Sequence, residues 1–204
     1  FTITAVYLFL VYAITKPFGA AAQAGFGIGG RVVQAGFMPV VALGFAVAPV
    51  AGQNFGARQP ARVKATFKDA AMMAAAVMFI FTIIANIAPD AMVRVFSKDP
   101  AVIKVGVGYL RIVSLTFIPS GLIFVASSMF QAMGNTVPSL VASAVRILLV
   151  AAPLPFLTRA AEFQLTWIWY LSATCVLVQL TISMLLLRRE FARRLGFGER
   201  PPDQ

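Results

Sequence analysis

The chain has 204 residues, of which 60% are hydrophobic and 12% charged, with a mean hydropathy of +0.86. Soluble domains carry about a quarter charged residues, so a water-soluble fold is excluded and an integral membrane protein is expected. The formal net charge of +10 would suit nucleic acid, but the cations gather at the ends of apolar runs, where they meet anionic headgroups; no nucleic-acid partner is expected.

Six apolar runs, separated by charged or Gly/Pro breaks, predict six transmembrane helices: Phe1–Ile14, Ala20–Ala51, Thr66–Ala88, Val107–Gln131, Pro138–Leu157 and Leu165–Leu187. A span needs about 20 residues. The first run is short of that and has neither Met nor a basic segment before it, so it reads as a helix cut within its length, not as a signal peptide. No ten-residue alternating pattern suggests a barrel, which leaves an all-α polytopic bundle. Residues 1–187 are expected to form the six-helix transmembrane lobe and residues 188–204 a basic tail.

The second run is unusually long and carries Pro39 and Pro49, with Gly25, Gly27, Gly29 and Gly30 in its first half. Either these reflect the ordinary tolerance of membrane helices for Gly and Pro, or they mark a helix that bends during function. Pro119 in the fourth run and Pro153/Pro155 in the fifth pose the same choice, so Pro39, Pro49 and Pro119 are candidate hinges.

Between the second and third runs lies a polar loop, Gly52–Lys64, bearing Arg58, Arg62 and Lys64. Cation-rich short loops stay cytoplasmic, which also places the arginine-rich tail inside and the Pro89–Lys104 segment outside, in an inner (plasma) membrane. Gly52-Gln-Asn-Phe-Gly56 and Gln131-Ala-Met-Gly134 each put Gln before Gly at a helix end, where Gly can take the left-handed C-cap conformation.

Chemistry-bearing groups are few. There is no histidine, the one cysteine (Cys175) lies inside an apolar run, and the seven acids fall at ends, turns or the tail. Neither an acid–base pair nor a His/Cys metal site is expected, and no enzyme activity or cofactor. The intramembrane ionisable groups are cations: Arg31, Arg146 and, nearer an interface, Arg111. A charge at the bilayer centre costs at least about 3 kcal/mol on insertion scales, so such residues face a wet cavity or snorkel to headgroups. Gln23, Gly27, Arg31, Gln34 and Met38 follow helical i, i+4 and i+3 steps and read as a polar cavity wall, with Arg146 expected to face the same space. Met72, Met73, Met78, Met129 and Met133 suit either an adaptable drug pocket or simple packing and lipid contact.

Several segments resemble the C-terminal half of a multidrug and toxic compound extrusion (MATE) transporter. These are Ala46–Ala57 with its Gly52-Gln53-x-x-Gly56-Ala57 pattern, Gly106–Ile112, the Phe130–Pro138 turn, Ala24–Arg31 and Ser139 to Arg146. The resemblance implies twelve helices in two six-helix lobes, a central cavity, and drug export by antiport against protons or sodium. It also implies a partner lobe N-terminal to this one. The chain departs from members that place acids in this lobe for sodium, so the coupling carboxylate is expected to lie upstream. Two other readings remain: a lipid-linked oligosaccharide flippase of the same superfamily, whose pyrophosphate would suit the arginines, and a non-transporting membrane scaffold.

Overall fold

A computed structural model describes residues 18–152 and 165–196. The first run, the stretch 153–164 with Pro153 and Pro155, and the end of the tail lie outside the described residues. Within them the fold is all-helical, in the order α1 (Ala20–Gly56), α2 (Pro60–Ile87), α3 (Pro89–Arg94), α4 (Pro100–Val113), a 3-10 turn (Ser114–Thr116), α5 (Phe117–Ala132), α6 (Val137–Ala151) and α7 (Leu165–Arg194). Ala20–Gly56, Pro60–Ile87, Pro100–Ala132 and Thr166–Arg194 are each long and apolar enough to cross a membrane.

The helices overrun the apolar runs that announced them, because hydropathy marks what sits in lipid and not where the backbone stops being helical. α1 has 37 residues, about 55 Å at 1.5 Å per residue, against a hydrocarbon core of about 30 Å. It continues through Pro39 and Pro49 without interruption. The expected Gly52–Lys64 loop shrinks to Ala57–Gln59: Gly52, Gln53 and Gly56 are helical, and Arg62 and Lys64 stand on the first turns of α2. Proline near the start of α2, α3, α4 and α6 costs no hydrogen bond, since the first amides of a helix lack internal acceptors.

The expected glycine caps divide. Gly134, with φ +71°, is left-handed as anticipated, but Gly56 is not; after α1 it is Arg58 that takes φ +54°. The glycines of α1 act mainly through size. A Cβ on Gly25 would stand 2.7 Å from Val105 Cβ and 3.0 Å from the Val102 carbonyl oxygen, and one on Gly29 would stand 2.4 Å from the Tyr109 ring. Gly27 and Gly30 meet nothing within 4 Å. The spacing of four between Gly25 and Gly29 therefore marks where α4 presses against α1, the small-residue contact by which membrane helices approach closely.

The α4–α5 span breaks where it was read as one helix. Pro119 cannot donate to the carbonyl four residues back, and the chain tightens into the 3-10 turn at Ser114–Thr116 just before it. The break is braced by α2. Thr82 Oγ1 reaches the Met78 carbonyl at 2.8 Å and the Ser114 carbonyl at 3.3 Å, while Asn86 Nδ2 donates to Ser114 Oγ at 3.0 Å. Backbone irregularity at membrane depth persists only where side chains satisfy it in this way.

At the opposite end of the bundle, α7 runs past the boundary expected at 187, through Arg194. Leu187, Phe191 and Leu195 repeat every four residues and join the main core with Val63 and Met133. Glu190, 4% exposed, shares that face. Its Oε1 accepts from Asn135 Nδ2 at 2.9 Å and pairs with Arg194 Nε at 2.6 Å, and Arg194 Nη1 donates to the Met133 carbonyl at 2.6 Å. The basic residues of the α1–α2 link and those of α7 thus share one end of the bundle: Phe67 and Phe191 meet edge to face at 6.0 Å.

Candidate functional site

Five helices and the 3-10 turn converge on a crevice of about 140 Å³ beside the α4–α5 break. α1 gives it Val33 and Phe37, α4 gives Tyr109, and α5 gives Phe117 and Ser120. Thr116 comes from the 3-10 turn, Arg146 from α6 and Ser172 from α7. The wall is thus rich in aromatic rings, with four hydroxyls (Tyr109, Thr116, Ser120 and Ser172) and a single cation. Thr116 Oγ1 is committed to the Val113 carbonyl at 2.7 Å.

Arg146 stands nine residues after Val137, about 14 Å along α6. It is half-buried, and its Nη1 donates to Gln179 Oε1 of α7 at 3.4 Å. Gln179 itself is buried. The neutral Gln179 amide helps to orient the guanidinium, which is one of the polar groups lining the crevice.

Above the crevice Phe26, Tyr109 and Trp169 form a three-ring cluster. Phe26 stacks on Trp169 with centroids 5.4 Å apart, and Tyr109 meets Trp169 edge to face at 4.9 Å. Phe37 meets Phe124 edge to face and Phe81 stacks on Phe117. Such pairs add about 0.5–1.5 kcal/mol each beyond burial and fix the rings that wall the crevice. Neither Trp169 nor Phe26 stood out in the sequence, because an aromatic residue in an apolar helix carries no local sign of the ring it will face.

The structure separates the two arginines that were expected to share a space. Gly27, Arg31, Gln34 and Met38 form one exposed face of α1, as their spacing requires. Val33 and Phe37, which touch the Arg146 crevice, occupy the other side, because Arg31 and Val33 are about 200° apart around the helix. Gln23 leaves the stripe and is half-buried. The methionines also part: Met72 and Met73 are exposed, whereas Met78, Met129 and Met133 are fully buried in the core, so they do not line one pocket.

The motif residues Gln53 and Gly56 are exposed at the end of α1, and Gly52 lies against α5, its Cβ position 3.5 Å from the Ala132 carbonyl oxygen. The two Gln-and-Gly segments noted in the sequence therefore sit side by side. Among the described residues, no three His, Cys, Asp or Glu side chains gather in a way that could hold a metal ion.

The MatE family model matches residues 1–157. The "Probable multidrug resistance protein NorM" of Thermotoga maritima is 22% identical over 190 residues, 87% of this chain and 41% of that protein. The "FAD transporter" of Shewanella oneidensis is 26% identical over 149 residues, 71% of this chain and 32% of that protein. A structure described as the outward-facing conformation of a multidrug resistance MATE family transporter of the MOP superfamily superposes with a TM-score of 0.88 at 16% identity, over 96% of this chain and 44% of that one. The chain thus spans less than half the length of the relatives it matches.

Proposed function

The chain belongs to the MatE family, and on that premise we propose that it serves as the C-terminal lobe of a multidrug efflux antiporter. In this reading a second, N-terminal lobe completes a central cavity. Rocking of one lobe against the other carries drugs outward in exchange for protons or sodium. The observation that carries the reading is the crevice at the broken α4–α5 span, where aromatic walls, hydroxyls and Arg146 converge beside a backbone irregularity. Discontinuous helices that line a cavity near the midplane are the usual setting of a transporter site. A scaffold would have no use for a half-buried cation there. The test is ethidium efflux from cells. Expressed with a complementary lobe, the chain is expected to lower dye retention while an ion gradient is present; alone, or after the gradient is collapsed, it is not. Efflux by the lobe alone would overturn the two-lobe account.

A second reading is supported by charge. Arg31 lies within a candidate span and Arg146 within the shorter apolar helix α6, while the described acids Asp69, Asp90 and Asp99 are exposed and Glu190 belongs to the α5–α6 clasp. That polarity suits an anionic substrate. It also suits the similarity to a relative named as an FAD transporter, or a flippase acting on a pyrophosphate lipid.

In the orientation proposed here the Ala57–Gln59 link and the end of α7 face the cytoplasm of a plasma-membrane carrier, with α3 outside. Cys175 is buried and leaves a quiet background for labelling. With a membrane-impermeant maleimide on intact cells, Ala101→Cys should react and Ala57→Cys should react only after permeabilisation. The reverse pattern would invert the topology.

A further inference from the structure

A second concavity, unrelated to the Arg146 crevice, lies between α3 and the start of α4, with a volume of about 440 Å³. Four cations line it, Arg94, Lys98, Lys104 and Arg111, against one acid, Asp90. Asp90 pairs with Arg94, and the neighbouring Asp99 is turned to cap α4, accepting from the Ala101 amide at 2.8 Å. Lys98, Lys104 and Arg111 are exposed, and no salt bridge to them is found among the described residues. Lys104 and Arg111 are two turns apart on one face of α4, about 10 Å, and between them the floor is apolar, Ile103 and Val107.

The surroundings decide what such a groove can hold. Ile87, Val95 and Phe96, which flank α3 in the chain, are 79%, 78% and 46% exposed, a poor surface for water but a suitable one for the headgroup–acyl boundary, where amphipathic segments bury one face. A soluble anion would need only the cations; here an apolar floor, Ile103 and Val107, lies among them. We propose that the α3–α4 groove binds an anionic phospholipid, its phosphate-bearing headgroup held by Lys98, Lys104 and Arg111 and its apolar part against Ile103 and Val107. The site does not depend on whether the lobe exports drugs, or on which leaflet α3 faces.

Near an anionic surface each cation adds roughly fivefold to affinity. The test uses the purified protein in vesicles carrying a photoactivatable phosphatidylglycerol, with labelled peptides mapped. Label is expected in the 98–111 segment. It should fall at least about fivefold in Lys104→Gln/Arg111→Gln and by a smaller factor in Lys98→Gln, and survive excess inorganic phosphate. All three side chains are exposed, so the variants should keep the wild-type elution profile. Equal labelling by a phosphatidylcholine probe, or labelling unchanged in the double variant, would overturn the site. Loss of label to inorganic phosphate would reassign it to a free anion.

Discussion

Gly25→Val is expected to remove nearly all folded protein from the membrane, whereas Gly27→Val, two residues on, should leave abundance close to wild type. The two glycines differ only in what their Cβ would meet. At Gly25 the obstacles are Val105 Cβ at 2.7 Å and the Val102 carbonyl oxygen at 3.0 Å, and a backbone atom cannot swing aside; at Gly27 there is open space. Overpacking costs about 1–3 kcal/mol where a core can adjust. Here the only relief is to move α4 as a body, which would also pull Tyr109 from the Phe26–Trp169 cluster and Val93 from Gly106. Fluorescence-detected chromatography of detergent extracts gives the comparison. Equal abundance of the two variants would mean that the α1–α4 contact is not as close as described.

The second large effect concerns Arg146. Arg146→Ala should lower efflux roughly tenfold with abundance preserved, in line with the loss of a hydrogen bond to a charged group worth about 1.5–3 kcal/mol. Arg146→Lys should recover part of the activity, since a point charge replaces some of what a planar guanidinium offers. The variant should fold because Arg146 is half-buried beside a crevice and its hydrogen bond to Gln179 is long, at 3.4 Å. Arg31→Ala, on the exposed side of α1, should have a smaller effect. Normal efflux in Arg146→Ala would take the crevice off the transport path. A parallel fall of efflux and abundance would make the arginine a packing element.

Much of this architecture is legible in the sequence, and the gaps have physical causes. Hydropathy located every described span, because the bilayer penalises polar residues whatever the fold. It misplaced the helix ends at Gly56, Pro60 and Pro100, because a helix emerging into water keeps its hydrogen bonds. Pro119 marked a choice between an ordinary and a bending helix in the fourth span, but neither the break beside it nor Thr82 and Asn86, which brace it from another helix, was legible. Arg146 was visible as an intramembrane charge. Its separation from Arg31 was not, since period alone fixes the face of one helix and says nothing of which neighbour lies against that face. Glu190 was grouped with the tail, although Leu187, Phe191 and Leu195 already repeat at helical spacing around it.

That last region bears on how the lobe is assembled during synthesis. Asn135 and Met133 are made some 55 to 61 residues before their partners Glu190 and Arg194. While the ribosome is still building α7, the α5–α6 corner is without the carboxylate and guanidinium that bind its side chain and carbonyl. The close contacts of α1 with α4 and α5 join segments already complete by then. The lobe therefore grows as a nearly finished bundle with one unlatched corner. A stalled or clipped chain lacking Glu190 and Arg194 would present that corner to quality-control proteases, a mark that distinguishes unfinished copies from finished ones.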